Sequence, residues 1–76
     1  MKEIIEIIIK NLVDNTEAVQ VTEKIEEKQI NYEVKVAKED MGKVIGKQGK
    51  MAKAIRSIVK AIATKEHKKV NVEFLD

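Results

Sequence analysis

The chain has no cysteine, no proline and no tryptophan, and its 76 residues include one tyrosine, one phenylalanine and three glycines. Without cysteine it can build neither a disulfide framework nor a thiolate metal site, which suits a reducing compartment. Uninterrupted apolar runs are no longer than three residues, as in Ile7-Ile8-Ile9, and lysines break up the N-terminal segment. That excludes a membrane-spanning helix and fits no secretory signal, so the expected address is the cytoplasm and no membrane partner is expected. Acid is missing from one long stretch: between Met41 and Lys65 there are seven bases and no Asp or Glu. A chain this short holds one small core, so residues 1–76 read as a single domain.

The net charge of +2 hides a strong asymmetry. Residues 1–40 carry six lysines against ten acids, a balance of −4, whereas residues 41–76 carry nine bases against three acids, a balance of +6. A surface built only for solubility mixes its signs. A one-sign half points instead to an anionic partner.

The periodicities define six elements. In KEIIEIIIKNLVD, Ile4, Ile5, Ile8, Ile9 and Leu12 share one side at helical spacing and Lys2, Glu6 and Lys10 the other, which predicts an amphipathic helix up to a turn at Asp14-Asn15-Thr16. EAVQVTEKI and QINYEVKVA alternate apolar and polar residues and predict two half-buried strands. The link between them is short enough for antiparallel pairing. KEDMGKVIG opens with acids, where a helix N-terminus favours them, and stops at Gly46. A longer helix follows over about Lys50 to Lys65, and Val70, Val72 and Phe74 alternate with Asn71 and Glu73 in a third strand. The order α-β-β-α-α-β predicts an α+β domain, three helices on one face of a three-stranded sheet.

All three glycines fall within eight positions, in GKVIGKQGK, together with three lysines. A P-loop needs four residues between its glycines and then Lys-Ser/Thr. Here three residues separate Gly42 from Gly46, and Gln48 follows Lys47. A dinucleotide fingerprint needs Gly-x-Gly after a strand, and this segment follows a helix. What remains is Gly46-Lys47-Gln48-Gly49 joining two helices. Gly46 can end the first in a left-handed conformation, and Gly49 can open the second, leaving its unpaired amides and positive dipole end at the loop. A plain helix connection would also use such caps. On the long helix Lys50, Lys53, Arg56 and Lys60 fall on one side, a basic stripe leading away from the loop, with Met51, Ile55, Ile58, Val59 and Ile62 on the opposite arc. Gly42, inside the short helix, reads as a close-packing position.

The run MGKVIGKQGKMAKAI resembles the KH-domain signature, an aliphatic-Ile-Gly-x-x-Gly stretch followed by helical apolar spacing. The element order matches the type II KH arrangement over nearly the whole chain, and length and layout resemble the KhpA family of small bacterial single-KH RNA-binding proteins. This resemblance implies a groove holding about four nucleotides of single-stranded RNA, clamped by the Gly-x-x-Gly loop. Carried over by position, Gly46, Lys47, Gln48 and Gly49 meet the backbone. Val44 and Ile45, with Met51, Ala54 and Ile55, floor the groove, and Val34 to Val36 line its other side. Ala52 stands where many KH domains carry a larger aliphatic residue, which implies a shallower groove there. Tyr32 and Phe74 sit in strand patterns and read as core, so the exposed aromatic platform of an RRM or OB-type binder is not expected.

Catalysis has little to work with. His67 lies in the charged turn KEHKK and Ser57 in mid-helix; no nucleophile-base pair, carboxylate pair or metal-ligand spacing can be assembled from them. A non-enzyme without cofactor or metal is expected. The rival reading is an assembly module. With Ala54 and Ala61 the apolar arc of the long helix is wider than packing on one sheet needs, which leaves Ile58 and Ile62 for a partner helix. The resemblance implies a homodimer, or a complex with a larger KH protein of the KhpB/Jag (EloR) type linked to cell elongation and division. RNA binding in post-transcriptional regulation is compatible with either.

Overall fold

A computed structural model describes residues 1–75. Helix α1 spans Lys2–Lys10, strand β1 Gln20–Ile25, strand β2 Ile30–Lys35, helix α2 Met41–Ile45, helix α3 Lys50–Lys65 and strand β3 Val70–Leu75. Single 3-10 turns at Thr16–Ala18, Lys38–Asp40 and Lys47–Gly49 punctuate the connections. The α-β-β-α-α-β order is the one the periodicities predict. No helix among the described residues is long and apolar enough to cross a membrane.

β1 and β2 pair antiparallel, with Val21 opposite Val34 and Glu23 opposite Tyr32. β3 then pairs parallel to β2, with Val72 beside Tyr32 and Phe74 beside Val34. The sheet is therefore mixed, and β2 is its central strand. The period of two sends Val21, Tyr32, Val34 and Val72 to one face. Ile5 and Ile9 of α1, Val44 of α2, and Ile55 and Val59 of α3 close over that face as one buried cluster. Each such aliphatic side chain contributes about 1.5–3 kcal/mol by leaving water. The other face, with Thr22, Lys24, Lys35, Asn71 and Glu73, is exposed. Tyr32 is core, as expected, and its hydroxyl donates to Glu23 Oε2 at 2.8 Å. Burial, and then this bond to a carboxylate, push the phenol above its usual pKa.

Two helix ends close in ways the periodicity does not show. α1 stops at Lys10 rather than near Asp14: the Asn11 side-chain amide competes for the carbonyl of Ile7 (2.7 Å), and the next amide tightens the turn, Leu12 N–H donating to Ile9 C=O at 2.9 Å. α3 ends in a two-bond clasp, Lys68 N–H to Ala63 C=O (2.9 Å) and His67 N–H to Thr64 C=O (3.1 Å), with His67 at φ 58° where glycine is usual.

Asp40 has a role the sequence concealed. Its acidic context suggests a helix-dipole partner, yet it is buried, and its carboxylate reaches back to the loop after α1. Oδ2 accepts the N–H of Asn15 at 3.0 Å and Oδ1 that of Asp14 at 3.3 Å. Lys43 lies 3.6 Å away and also pairs with Asp14. The Asn15 amide is the main cause holding the Asp40 carboxyl below its ordinary pKa, with Asp14 N–H and Lys43 adding to it against desolvation. A depressed folded pKa stabilises the fold above the unfolded value of about 4 and loses that contribution as pH falls through the lower folded value. Asp40→Asn should therefore lower the Tm by roughly 10 °C at neutral pH and give a flatter acid limb than the wild type below about pH 4. Thermal melts by circular dichroism against pH check this; parallel curves would show that Asp40 does not carry the acid response.

Gly42 is exposed, and a Cβ built on it meets nothing within 4 Å. It is not the close-packing position that its place inside a helix suggested. α2 touches its neighbours through Val44 instead.

Candidate nucleic-acid interface

α2 ends at Ile45, and the Gly46 N–H closes its last turn on the Gly42 carbonyl at 2.9 Å. The chain then reverses. Gly46 stands at φ 77°, ψ 176°, Gln48 at φ 56°, ψ 26°, and Gly49 at φ 74°, ψ 12°. Three of the four loop residues thus occupy positive φ, and one of them carries a side chain. A left-handed non-glycine costs about 1–2 kcal/mol and persists only where its surroundings impose it. Gly46 is pressed against the start of α3, where an added Cβ would lie 2.7 Å from Met51 Cβ and 2.9 Å from its backbone nitrogen. Around Gly49 the space is open. The loop therefore bends inward at Gly46 and exposes Lys47 and Gln48 at its tip.

Gly49 caps α3 without a side-chain hydrogen bond. The first-turn amides and the positive dipole end of a 16-residue helix consequently face the loop without a carboxylate in the first turn. Lys47, Lys50, Lys53 and Lys60 are exposed, and none of them forms an ion pair among the described residues. Lys43, by contrast, is committed to Asp14 and Asp40.

The structure rearranges the remaining expectations. Val44 and Ile55 are fully buried under the sheet and cannot meet a base; of the expected floor, half-buried Ile45 and exposed Met51 and Ala54 remain accessible. Ala52 is also buried, so its small side chain fits the core rather than making an open groove shallower. Val34 lies in the central strand and is covered from both sides. Val36 lines, with Lys35, Lys38 and Met41, a cleft of about 490 Å³ beside the start of α2. The strand packed against α3 is β3, so the wall facing the basic stripe comes from the C-terminal strand. The resemblance implied β2 for that wall, and strand order is not written in the alternation of a strand.

Arg56 departs most from the stripe. It is half-buried, its Nε donates to the Val72 carbonyl at 3.1 Å, and its guanidinium carbon sits 5.3 Å from the centroid of the Phe74 ring. Phe74, read as core, is only partly buried and serves as the platform for this cation–π contact. Farther along the same seam, Lys60, Lys68, Lys69, Gln29 and Asn71 border a cleft of about 360 Å³. Ile58 is 48% exposed and Ile62 half-buried, on the side of α3 away from β3. Ser57 on α3 and His67 beyond its end are both exposed, about two helical turns of α3 lying between them.

The sequence matches known proteins over nearly the whole chain. A family model described as KhpA/KhpB, KH domain, matches residues 2–74. The RNA-binding protein KhpA of Clostridium perfringens is 61% identical over 99% of this chain and 100% of its own length. That of Clostridium acetobutylicum is 57% identical over the same shares, and that of Listeria monocytogenes is 46% identical over 100% of both chains. Since the match runs through all three helices, the Gly-Lys-Gln-Gly turn and all three strands, the chain belongs to the KhpA/KhpB KH-domain family.

Proposed function

We propose that this protein binds a short single strand of RNA, about four nucleotides, along the seam that starts at the Gly46–Gly49 loop. The observation that carries this reading is the loop itself. Two uncommitted polar side chains stand at a tip whose backbone is held in left-handed conformations, directly before the uncapped end of α3. A sugar-phosphate backbone can approach the glycines closely. Lys47 supplies a charge, Gln48 an amide donor, and the first-turn amides of α3 a dipole. Lys50 and Lys53 continue the positive track, while Ile45, Met51 and Ala54 offer apolar contact to bases. The names of the relatives support RNA as the ligand. Fluorescence anisotropy of a labelled single-stranded RNA octamer tests it. With three phosphates neutralised, affinity should fall roughly 20-fold between about 50 and 200 mM salt; salt-independent binding, or none, would remove the loop-clamp reading.

In the cell this activity serves post-transcriptional regulation in the cytoplasm. The protein acts there as a homodimer or beside a larger KhpB/Jag-type KH partner, by way of the outer face of α3. Exposed Ile58 and half-buried Ile62, with Met51 on the same arc, favour that face. Ile58→Asp costs the isolated domain little, because the side chain is already half in water, and should raise the dimer dissociation constant at least about 100-fold in sedimentation equilibrium. An unchanged dimer would move the interface off α3.

A further inference from the structure

We infer that Arg56 reads a base rather than tracking the phosphate backbone, and that it selects a base edge carrying two adjacent hydrogen-bond acceptors. This rests on the RNA-binding reading above and adds to it which bases the seam accepts. β3 is an edge strand, and the Val72 carbonyl on its free side is taken by Arg56 Nε at 3.1 Å. The guanidinium also lies over Phe74, 5.3 Å from the ring centroid. A guanidinium has five N–H donors in a rigid plane. With Nε spent on β3, the two Nη groups remain and point end-on, fixed in direction by the anchor and the ring.

That placement differs from the neighbouring lysines. Lys53 and Lys60 lie on the same side of α3 but are exposed at the rim, suited to phosphates. Arg56 sits lower, between helix and strand, where a base turned inward from a rim-held backbone would arrive. Its end-on fork donates two parallel N–H groups and accepts nothing. Guanine answers with O6 and N7, and cytosine with O2 and N3. Adenine and uracil alternate donor and acceptor along every edge and offer no adjacent acceptor pair, so each leaves one arm of the fork unmatched.

The test uses labelled single-stranded octamers of uridine with one central residue replaced by guanosine, cytidine or adenosine; a flexible strand can slide to place it. The wild type should bind the guanosine or cytidine strand about tenfold more tightly than the adenosine or all-uridine strand. Where guanosine is preferred, 7-deazaguanosine, which lacks the N7 acceptor, should lose that gain in the unmodified protein, so this arm needs no variant to fold. Arg56→Lys, checked by circular dichroism, keeps the charge but not the fork. It should bind all strands within about threefold of one another, without the gain that guanosine or cytidine gives the wild type. Equal wild-type affinity for all four strands, or a preference that survives in Arg56→Lys, overturns the inference while leaving the loop clamp standing. Absence of binding to every strand overturns both.

Discussion

Replacing Lys47 and Gln48 together by aspartate is expected to weaken binding of single-stranded RNA at least about 100-fold, without loss of fold. A charge-assisted contact to phosphate contributes about 1.5–3 kcal/mol and a neutral amide contact about 0.5–1.5 kcal/mol. Removing both and placing two carboxylates beside the incoming phosphates adds repulsion to the loss. The slope of log affinity against log salt should also become shallower, by about 0.7 for each phosphate contact removed. The fold is expected to survive because both side chains are exposed and no hydrogen bond or ion pair of theirs is seen among the described residues. Aspartate moreover tolerates the left-handed conformation of position 48. Anisotropy at two salt concentrations, beside a circular dichroism spectrum of each protein, measures this. If the folded double variant binds as the wild type does, RNA lies along α3 or elsewhere and not at the loop. If neither protein binds, an assembly role through α3 becomes the better reading.

The second large effect separates two glycines that look alike in sequence. Gly46→Ala should destabilise the domain by about 3–5 kcal/mol, whereas Gly49→Ala should cost about 1 kcal/mol. Both residues have positive φ. At Gly46, however, ψ is 176°, a region that only glycine enters readily. The new methyl would also collide with the Met51 backbone, which cannot swing aside as a flexible side-chain end could. At Gly49 the conformation is ordinary left-handed helical and the space beside it is empty. A domain of this size has a total stability on the order of 4–11 kcal/mol, so Gly46→Ala removes a large share of it. Urea melts of the two variants measure the difference; equal losses would mean that the positive φ common to both, and neither the ψ of Gly46 nor its Met51 contact, sets the cost. RNA affinity in folded Gly49→Ala then reports how closely a backbone must approach that position.

The element order, the loop and the lysines were legible in the sequence because each is a local property. Helical and alternating periodicities follow from where consecutive side chains point, and a glycine pair between two helices advertises a reversal whatever surrounds it. The acid-free stretch from Met41 to Lys65 likewise announces its charge without a fold. Lys47, Gln48, Lys50 and Lys53 are exposed in the structure, as solvated charged and amide side chains at such positions should be. The family signature added the type II topology.

What stayed hidden depended on which elements become neighbours. Nothing in QINYEVKVA or KKVNVEFLD states that the first is central and the second an edge, since parallel pairing of β2 with β3 is fixed by how α2 and α3 carry the chain back across the sheet. That pairing withdrew Val34 from the groove and put β3 beside α3. It also turned Arg56 from one more cation of a stripe into a guanidinium anchored on Val72 and Phe74. In the same way spacing placed Ile55 on an apolar arc and the family resemblance placed Val44 beside it, but whether they met bases or the core was settled only by the close approach of the helices to the sheet. Asp40 shows the same limit: 25 residues separate it from the Asn15 amide that it accepts, and a local acid pattern cannot signal a long-range bond. The sequence by itself determined the local conformations and the charge of this protein. The tertiary structure decided which of its side chains remain free to meet a ligand, because burial and pairing are properties of neighbours that the chain brings together only on folding.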